Sequence, residues 1–477
     1  MIMNRQAAAA PIPKPSFGTA LAALAPILFL IFTFLVGGGS RSDIASLPLL
    51  RAVAVLAAFW AATRLTADDW QRIRTPFILL ALLTAWIVFQ LVPLPPALWH
   101  ALPGRETIIA IDRLLGQPDL WRPISLTPSQ TWNSLLAMSV PFAALLLAAK
   151  LDFEDYPKLL LAIVGVAALS AMLGFFQLLS GAGGAAYLYR ITNSDAMVGL
   201  FANRNHNAVF FACATVIAAA LLRSERMRSR RSPPLQIALI FAILTFTVLT
   251  ALIGSRAGLV VGVVAFTISY VMVISVWRIK PITQWEAALP VRTTRVWGYL
   301  LYSPPALFAI LLGVSLWLSD RTTALSRLAD HDAANDLRIR AWPTVWTMIE
   351  KYWGVGTGMG SFSDIYKMYE PDALLTPSYF NHAHNDWAEV ILTGGVPMVL
   401  IMIAAVAWFT RRFRSLGVRN LVKGHRGDLR LPVLMVVLIL AAASFVDYPL
   451  RVPSMQVIAI MLIALLCCPA PARVRRD

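Results

Sequence analysis

The stretch HNAVFFACATVIAAALL, residues 206–222, runs straight into RSERMRSRR, residues 223–231. The first part is close to the about 20 mainly apolar residues that a bilayer-spanning helix needs. The second crowds Arg223, Arg226, Arg228, Arg230 and Arg231 into one short loop. Lysine and arginine in short loops set the orientation of a membrane protein, with the basic loops on the cytoplasmic side. Read together, the two parts predict a span that leaves the membrane into the cytoplasm at residue 223.

The same alternation repeats along the 477 residues. Twelve apolar runs qualify as spans: 19–36, 47–64, 77–94, 131–149, 158–179, 206–222, 234–252, 256–276, 297–318, 386–409, 431–446 and 454–469. Open backbone cannot face hydrocarbon, so the runs are expected to be helices. The fold class is therefore an all-α polytopic membrane protein. Composition agrees. Apolar residues make up 58% of the chain and charged ones 14%, against about 45–50% and about 25% in a soluble domain. One interior core cannot absorb that excess, because cores stop growing beyond roughly 250–300 residues. The net charge of +16 sits in short loops rather than on one soluble face, so nucleic acid is not the expected partner. Cys213, Cys467 and Cys468 all lie in apolar runs, with no metal or redox spacing.

The loop after the eighth run carries Arg278, Lys280, Arg292 and Arg295. The loop after the tenth carries Arg411, Arg412, Arg414, Arg419, Lys423, Arg426 and Arg430, and the end carries Arg473, Arg475 and Arg476. All fall on one side if the count is right, which places both termini in the cytoplasm. Arg5 and Lys14 before the run Thr19–Val36 resemble a signal peptide, but the run is long and others follow, so it reads as an uncleaved first span. The expected division is a disordered cytoplasmic tail at 1–18, spans one to nine at 19–318, a periplasmic loop with surface helices at 319–385, spans ten to twelve at 386–469, and a cytoplasmic tail at 470–477.

The opposite side then holds the long connections 95–130, 180–205 and 319–385. Loops beyond about 12–15 residues usually have a function. In the longest, Leu337, Ile339, Trp342, Val345, Trp346 and Ile349 form an approximately helical stripe. It is expected as a helix on the membrane surface, with Pro343 kinking it or marking its first turn.

Five of the six histidines, His100, His206, His331, His382 and His384, fall on that side or at its boundary. His382 and His384 stand in Phe380-Asn381-His382-Ala383-His384-Asn385-Asp386, which opens into the tenth span. Histidine suits general-base chemistry near neutrality. The local alternative is structural: Asp386 caps the helix, with Glu389 completing a capping box. His-x-His with Asp386 could also ligate zinc, but spacing specifies no third ligand.

Arginines form a second group on the same side. Arg204 and Asn205 lie before the sixth span, Arg256 in Gly254-Ser255-Arg256 between the seventh and eighth, Arg338 and Arg340 before the stripe, and Arg451 in the last connection. A guanidinium grips phosphate through two parallel hydrogen bonds and keeps its charge. Each could instead be one half of an ion pair, Arg451 with Asp447 or Arg338 with Asp336. The run Gly354-Val355-Gly356-Thr357-Gly358-Met359-Gly360 lacks the strand and βαβ context of a nucleotide loop. It reads as a turn needing positive φ or close backbone approach.

From about residue 195 to 460 the chain resembles the O-antigen ligase superfamily, which includes Wzy-type polysaccharide polymerases. The likeness rests on HAHNDWAEVILTGGVPM at 382–398, FANRNHNA at 201–208, GSRAG at 254–258, and LRIRAW followed by GVGTGMGSF within 337–362. The resemblance implies a membrane-embedded, GT-C-type glycosyltransferase that is metal-independent, uses no cofactor and inverts the anomeric carbon. It implies a glycan on undecaprenyl diphosphate as donor, with lipid A-core or a second lipid-linked glycan as acceptor. By position, it implies His384 as the base that takes the acceptor proton. It implies Arg256 and Arg338 on the donor diphosphate, with Arg204 and Asn205 at the same mouth. Arg340, His382, Asn385, Asp386 and Arg451 complete the expected substrate-binding set. Ligase and polymerase are left open. The rival from another class is a transporter or flippase for the same lipid, whose charges would gather near mid-membrane. A structural scaffold would place no demand on these side chains.

Overall fold

The computed structural model describes residues 17–181, 184–194, 196–227, 232–277, 331–375, 380–416 and 428–468, and helical positions 306, 310 and 313. For 17–22, 256, 276–277, 331–337 and 416 it describes the backbone alone. The chain is helical almost throughout. Among the described residues seven helices are long and apolar enough to cross a membrane, and four shorter apolar helices accompany them. Most of the ninth expected span and of the two expected tails, and the loops at 278–296 and 417–427, lie outside the described residues.

The apolar helices include α1 (Phe17–Val36), α2 (Leu47–Ala62) and α3 (Ala67–Phe89), then α8 (Tyr156–Ser180), α9 (Arg204–Met227), α10 (Pro233–Leu252) and α11 (Arg256–Trp277). Near the end come α14 (Asp386–Leu416), α15 (Arg430–Ala443) and α16 (Pro453–Cys467). The run expected as a span at 131–149 is one of the seven, Pro128–Ala148, built of two helical pieces, α6 (Pro128–Ala137) and α7 (Ser139–Ala148), which meet at Met138. Between α3 and α6 lie the short α4 (Pro96–His100) and α5 (Glu106–Leu114). A minimal antiparallel pair joins them, β1 (Pro93–Leu94) with β2 (Arg122–Pro123).

The most enclosed helix is α9, with 89% of its most apolar window buried inside the protein, against 17% for α3. Helices α8, α10, α11 and α15 pack around α9, so α3 faces outward to lipid while α9 forms the axis of the bundle. Hydroxyls inside the spans donate to the carbonyl one turn back, as Thr33 does to Phe29 O at 2.8 Å and Thr215 to Phe211 O at 2.8 Å. That habit satisfies them where no water can.

Helix α3 begins ten residues before the apolar run. A capping box at Thr66 and Asp69 starts it, and the Asp69 carboxylate is held by Lys150 at 2.6 Å and by Arg72. Arg72 also donates to Ala149 O at 2.9 Å, and Arg412 donates to Leu466 O at 2.8 Å. These contacts knit together one end of the bundle.

The other end carries the histidines and the long connections. There α12 (His331–Tyr352) and α13 (Phe362–Lys367) form a small second core. Ala341, Val345, Met348, Tyr352, Phe362, Ile365 and Tyr366 pack on Leu392 of α14. The expected stripe is split. Val345 points inward, whereas Ile339, Trp342 and Trp346 are exposed, and the buried face follows Ala341, Val345, Met348 and Tyr352 instead. Pro343 lies inside the helix and not at its first turn.

Helix α14 is broken at Gly395, whose φ of 62° and ψ of −161° are non-helical. The glycine-rich run explains the break. Val396 N donates to Trp353 O and Gly354 O at 3.0 Å, and Gly358 N donates to Thr393 O at 3.0 Å. Gln90 of α3 donates to Thr393 O at 2.9 Å and Trp86 to Gly394 O at 2.8 Å. Carbonyls freed by the break are therefore all answered. A side chain at Gly356 would put Cβ 2.4 Å from Thr393 O, and one at Gly395 would put it 2.6 Å from Gly356 N. Close approach and positive φ both operate here.

Candidate functional site

The site begins with the five residues before α14. Asn385 caps the helix, its side-chain oxygen accepting from Ala388 N at 3.0 Å. This corrects the reading in which Asp386 and Glu389 formed the cap. Both acids are thereby free for tertiary contacts. Glu389 turns back to accept from Ala383 N at 2.9 Å and lies 3.0 Å from Nδ1 of His382. Asp386 accepts from the Ser444 hydroxyl at 3.0 Å and from Nε of Arg451 at 3.1 Å. Arg451 also reaches Glu389 at 3.5 Å. Arg451 is thus paired with Asp386 and Glu389, not with the nearby Asp447. Burial lowers its pKa, and the two carboxylates outweigh that and raise it.

Asp447 has a different role. It is fully buried in the connection that follows α15, where Oδ1 lies 3.7 Å from Nδ1 of His384 and 3.9 Å from Nε2 of His206. Its Oδ2 has no hydrogen-bond partner among the described residues. Burial pushes the carboxyl pKa up, but His384, His206 and Arg338 outweigh it and hold the group below the ordinary carboxylate range. For His384 the order is reversed. Burial lowers its pKa, Asp447 pulls it up, and the net is a lowered value. Asp447 therefore stays charged while the His384 imidazole is disposed to be neutral.

Tyr448 sits among the histidines. Its ring centre is 4.5 Å from His382, 4.9 Å from His384 and 5.0 Å from His206. Asn203 donates to its hydroxyl at 3.4 Å. Burial lifts the phenol pKa well above its usual value, and the Asp447 charge adds to this. His384 is the one residue other than glycine with positive φ among the described residues, at 52°. Histidine tolerates that conformation better than most residues, and it turns the ring onto Phe380 and Tyr448.

The expected residues come together unevenly. His384, His382, Asp386 and Arg451 share the cluster. Half-buried Arg338 adds positive potential at His384, Asp447 and Tyr448. Arg204 opens α9 with its amide on the Asn193 side chain, and the Asn205 amide is held by Asn203, one residue from the Tyr448 contact. Arg340 is exposed and donates to Ala373 O at 3.3 Å, away from the histidines. Arg256 begins α11 beside Gly254 at φ 70°, but its side chain lies outside the described residues. Among the described residues no three His, Cys, Asp or Glu side chains converge as a metal centre would require. Sequence reasoning underrated Glu389, Asp447 and Tyr448. The available clue was an acid at the end of an apolar run, which is costly unless it has a partner.

Residues 239–403 match the family described as O-Antigen ligase. The match supports a likeness to the O-antigen ligase superfamily over that stretch, which is less than half of the chain. The matched stretch contains Arg256, Arg338, His382, His384, Asp386 and Glu389. It leaves out Asn203, His206, Asp447 and Arg451, which the fold brings to the same cluster. A search of curated proteins found no match. That match, with the apolar helices, supports a multi-pass membrane enzyme of the O-antigen ligase and polymerase type, a glycosyltransferase-like class whose substrates are lipid-linked glycans.

Proposed function

We propose that the chain transfers a glycan from undecaprenyl diphosphate to a saccharide acceptor on the periplasmic face of the inner membrane, as an O-antigen ligase or a related polysaccharide polymerase. The observation that carries this reading is His384 with Nδ1 3.7 Å from the buried Asp447 carboxylate. Asp447 keeps the imidazole oriented, leaving Nε2 as the base. The acceptor hydroxyl oxygen attacks the anomeric carbon and its proton passes to His384. The bond from that carbon to the diphosphate oxygen breaks, and undecaprenyl diphosphate leaves. Attack opposite the leaving group inverts the anomeric carbon, and no metal is invoked.

In this reading Arg338 and Arg256 take up the charge that develops on the leaving diphosphate. Arg204 and Asn205 lie at the same mouth. Arg451 does not touch the donor, because Asp386 and Glu389 already occupy its guanidinium. It is a positioning residue that anchors the start of α14 beneath the histidines. The basic end of the bundle, with Arg72, Lys150, Arg412 and Arg430, is assigned to the cytoplasm, along with both termini.

The test uses purified protein with an undecaprenyl-diphosphate-linked repeat, alone or with lipid A-core. A ladder from the donor alone identifies a polymerase, and a single product that requires lipid A-core identifies a ligase. Translocation of the donor without sugar transfer would instead favour a flippase. His384→Asn preserves the tolerance for positive φ and should abolish transfer. Near-normal transfer by that variant, folded and inserted, rules the reading out.

A further inference from the structure

A cavity of about 440 Å³, lined in part by His382, plays no part in the mechanism above. His382, Asp386, Glu389 and Arg451 border it, but His384, Asp447 and Arg338 do not. Part of its wall is apolar, from Leu50, Ile87, Val140 and Met398. Part is polar, from Gln130, Asn133 and Ser134. A chamber of that character suits an amphipath better than a free sugar.

Its charges are almost all answered internally. Arg41 is paired with Asp43 at 2.9 Å, Lys367 with Asp364 at 3.3 Å, and Arg451 with Asp386 and Glu389. Arg51 is different. It stands one turn into α2 and lines the cavity, and it has no carboxylate partner among the described residues. Its Nε is buried and without a hydrogen bond. A guanidinium so placed favours an anion arriving from outside the chain. Arg338, assigned above to the donor diphosphate, does not line the cavity, which leaves it for the second of the two bound lipids that such a reaction holds.

We propose that this cavity receives a lipid-borne acceptor glycan and that Arg51 recognises a phosphoryl group on it. The inference rests on the transferase reading above and adds where the acceptor binds and which side chain grips it. The phosphoryl group could belong to lipid A-core or to the diphosphate of a second lipid-linked glycan.

The experiment measures binding without turnover. Full-length wild-type and Arg51→Gln proteins are titrated with lipid A-core and, separately, with undecaprenyl diphosphate, and bound lipid is counted by native mass spectrometry. If lipid A-core is the source, Arg51→Gln weakens its binding about tenfold or more, equivalent to about 1.4 kcal/mol, and leaves undecaprenyl diphosphate unaffected. If a second lipid-linked glycan is the source, wild type holds two undecaprenyl diphosphates and the variant holds one. Unchanged binding of both probes overturns the proposal. So does a loss of undecaprenyl diphosphate binding in a wild type that holds only one, because Arg51 would then belong to the donor site. If the glutamine variant does not fold, Arg51→Lys replaces it; losing the two-pronged contact should still weaken the same probe, and no change overturns the proposal. The His384→Asn transfer assay tests the underlying reading independently.

Discussion

Nδ1 of His384 lies 3.7 Å from Oδ1 of Asp447, a carboxylate with no solvent exposure that is contributed by the connection between α15 and α16. The distance exceeds that of a hydrogen bond. It needs only a small closing movement to become one, as catalytic contacts in unliganded enzymes often do. We predict that His384→Asn lowers the transfer rate by about 10²–10⁴-fold, the range for loss of a general base. Asp447→Asn should cost less, because the base remains but is no longer oriented by a charge. Rates on purified, folded variants check both. Equal activity of wild type and Asp447→Asn would remove Asp447 from the mechanism.

The same pair sets a pH dependence. Burial holds the His384 pKa below its ordinary value and Asp447 partly restores it. A base must be unprotonated to act, so the acid limb of the pH–rate profile should fall below about 6.5, the unperturbed histidine value. Asp447→Asn removes the group that raises the His384 pKa, so the limb should move to still lower pH. A limb above 6.5, or one that moves upward in Asp447→Asn, contradicts the assignment.

A separate prediction concerns Arg451. Its guanidinium is held by Asp386 and Glu389, both nearly inaccessible to solvent. Breaking a buried pair costs about 3–5 kcal/mol, and with Asp386 still 3.1 Å from Arg451 the loss of Glu389 should cost a part of that. Glu389→Ala should therefore lower the melting temperature markedly in detergent. It also takes the acceptor from His382 Nδ1 and from Ala383 N, so the loop carrying His384 should loosen. Unaltered melting of Glu389→Ala would mean that the network does not anchor α14.

The helices were legible in the sequence because lipid forces each span to declare itself by composition, and α9 with its arginine-rich exit shows this plainly. Partnerships were less legible. Arg451 stands four residues from Asp447, yet its carboxylates come from α14, 65 residues earlier in the case of Asp386. Closeness along the chain says little about which acid a folded connection brings near. The stripe on α12 misled for a related reason. Tryptophans at helical spacing look like a core, but Trp342 and Trp346 are exposed, and at a membrane surface aromatic rings can face lipid instead. The break at Gly395 was written only as a glycine pair, and its meaning depends on the distant run at 353–358 that fills it.

That break gives a fourth prediction. Gly395→Ala places a side chain at φ 62° and puts Cβ 2.6 Å from the Gly356 amide nitrogen. Strained backbone of this kind costs of order 1–3 kcal/mol, and backbone on the facing run cannot swing aside as a flexible side chain could. Gly395→Ala should reduce folded, membrane-extracted protein, as seen by size-exclusion chromatography. Gly165→Ala, where an added Cβ meets nothing within 4 Å, should behave as wild type and serves as the control.

The last prediction concerns Arg105, which has no solvent exposure and no carboxylate partner among the described residues. Its Nη2 donates to Ile124 O at 2.8 Å and Gly356 O at 3.1 Å, and its guanidinium carbon lies 5.6 Å from the Trp99 ring centre and 5.7 Å from that of Tyr352. Burial pushes its pKa down to about 10, so it remains charged at neutral pH. One side chain thus ties the 95–127 connection to the glycine-rich run, which in turn packs on the break in α14 beneath the histidines. Arg105→Ala loses two charge-assisted hydrogen bonds and two ring contacts. At about 1.5–3 kcal/mol for hydrogen bonding to a charged group, the loss should show as a lower melting temperature and as faster protease cleavage between residues 95 and 127. Arg105→Lys retains the charge but lacks the planar fork, so it should recover only part of the difference. If Arg105→Lys matched wild type, charge alone would hold this connection and the two-carbonyl contact would be dispensable.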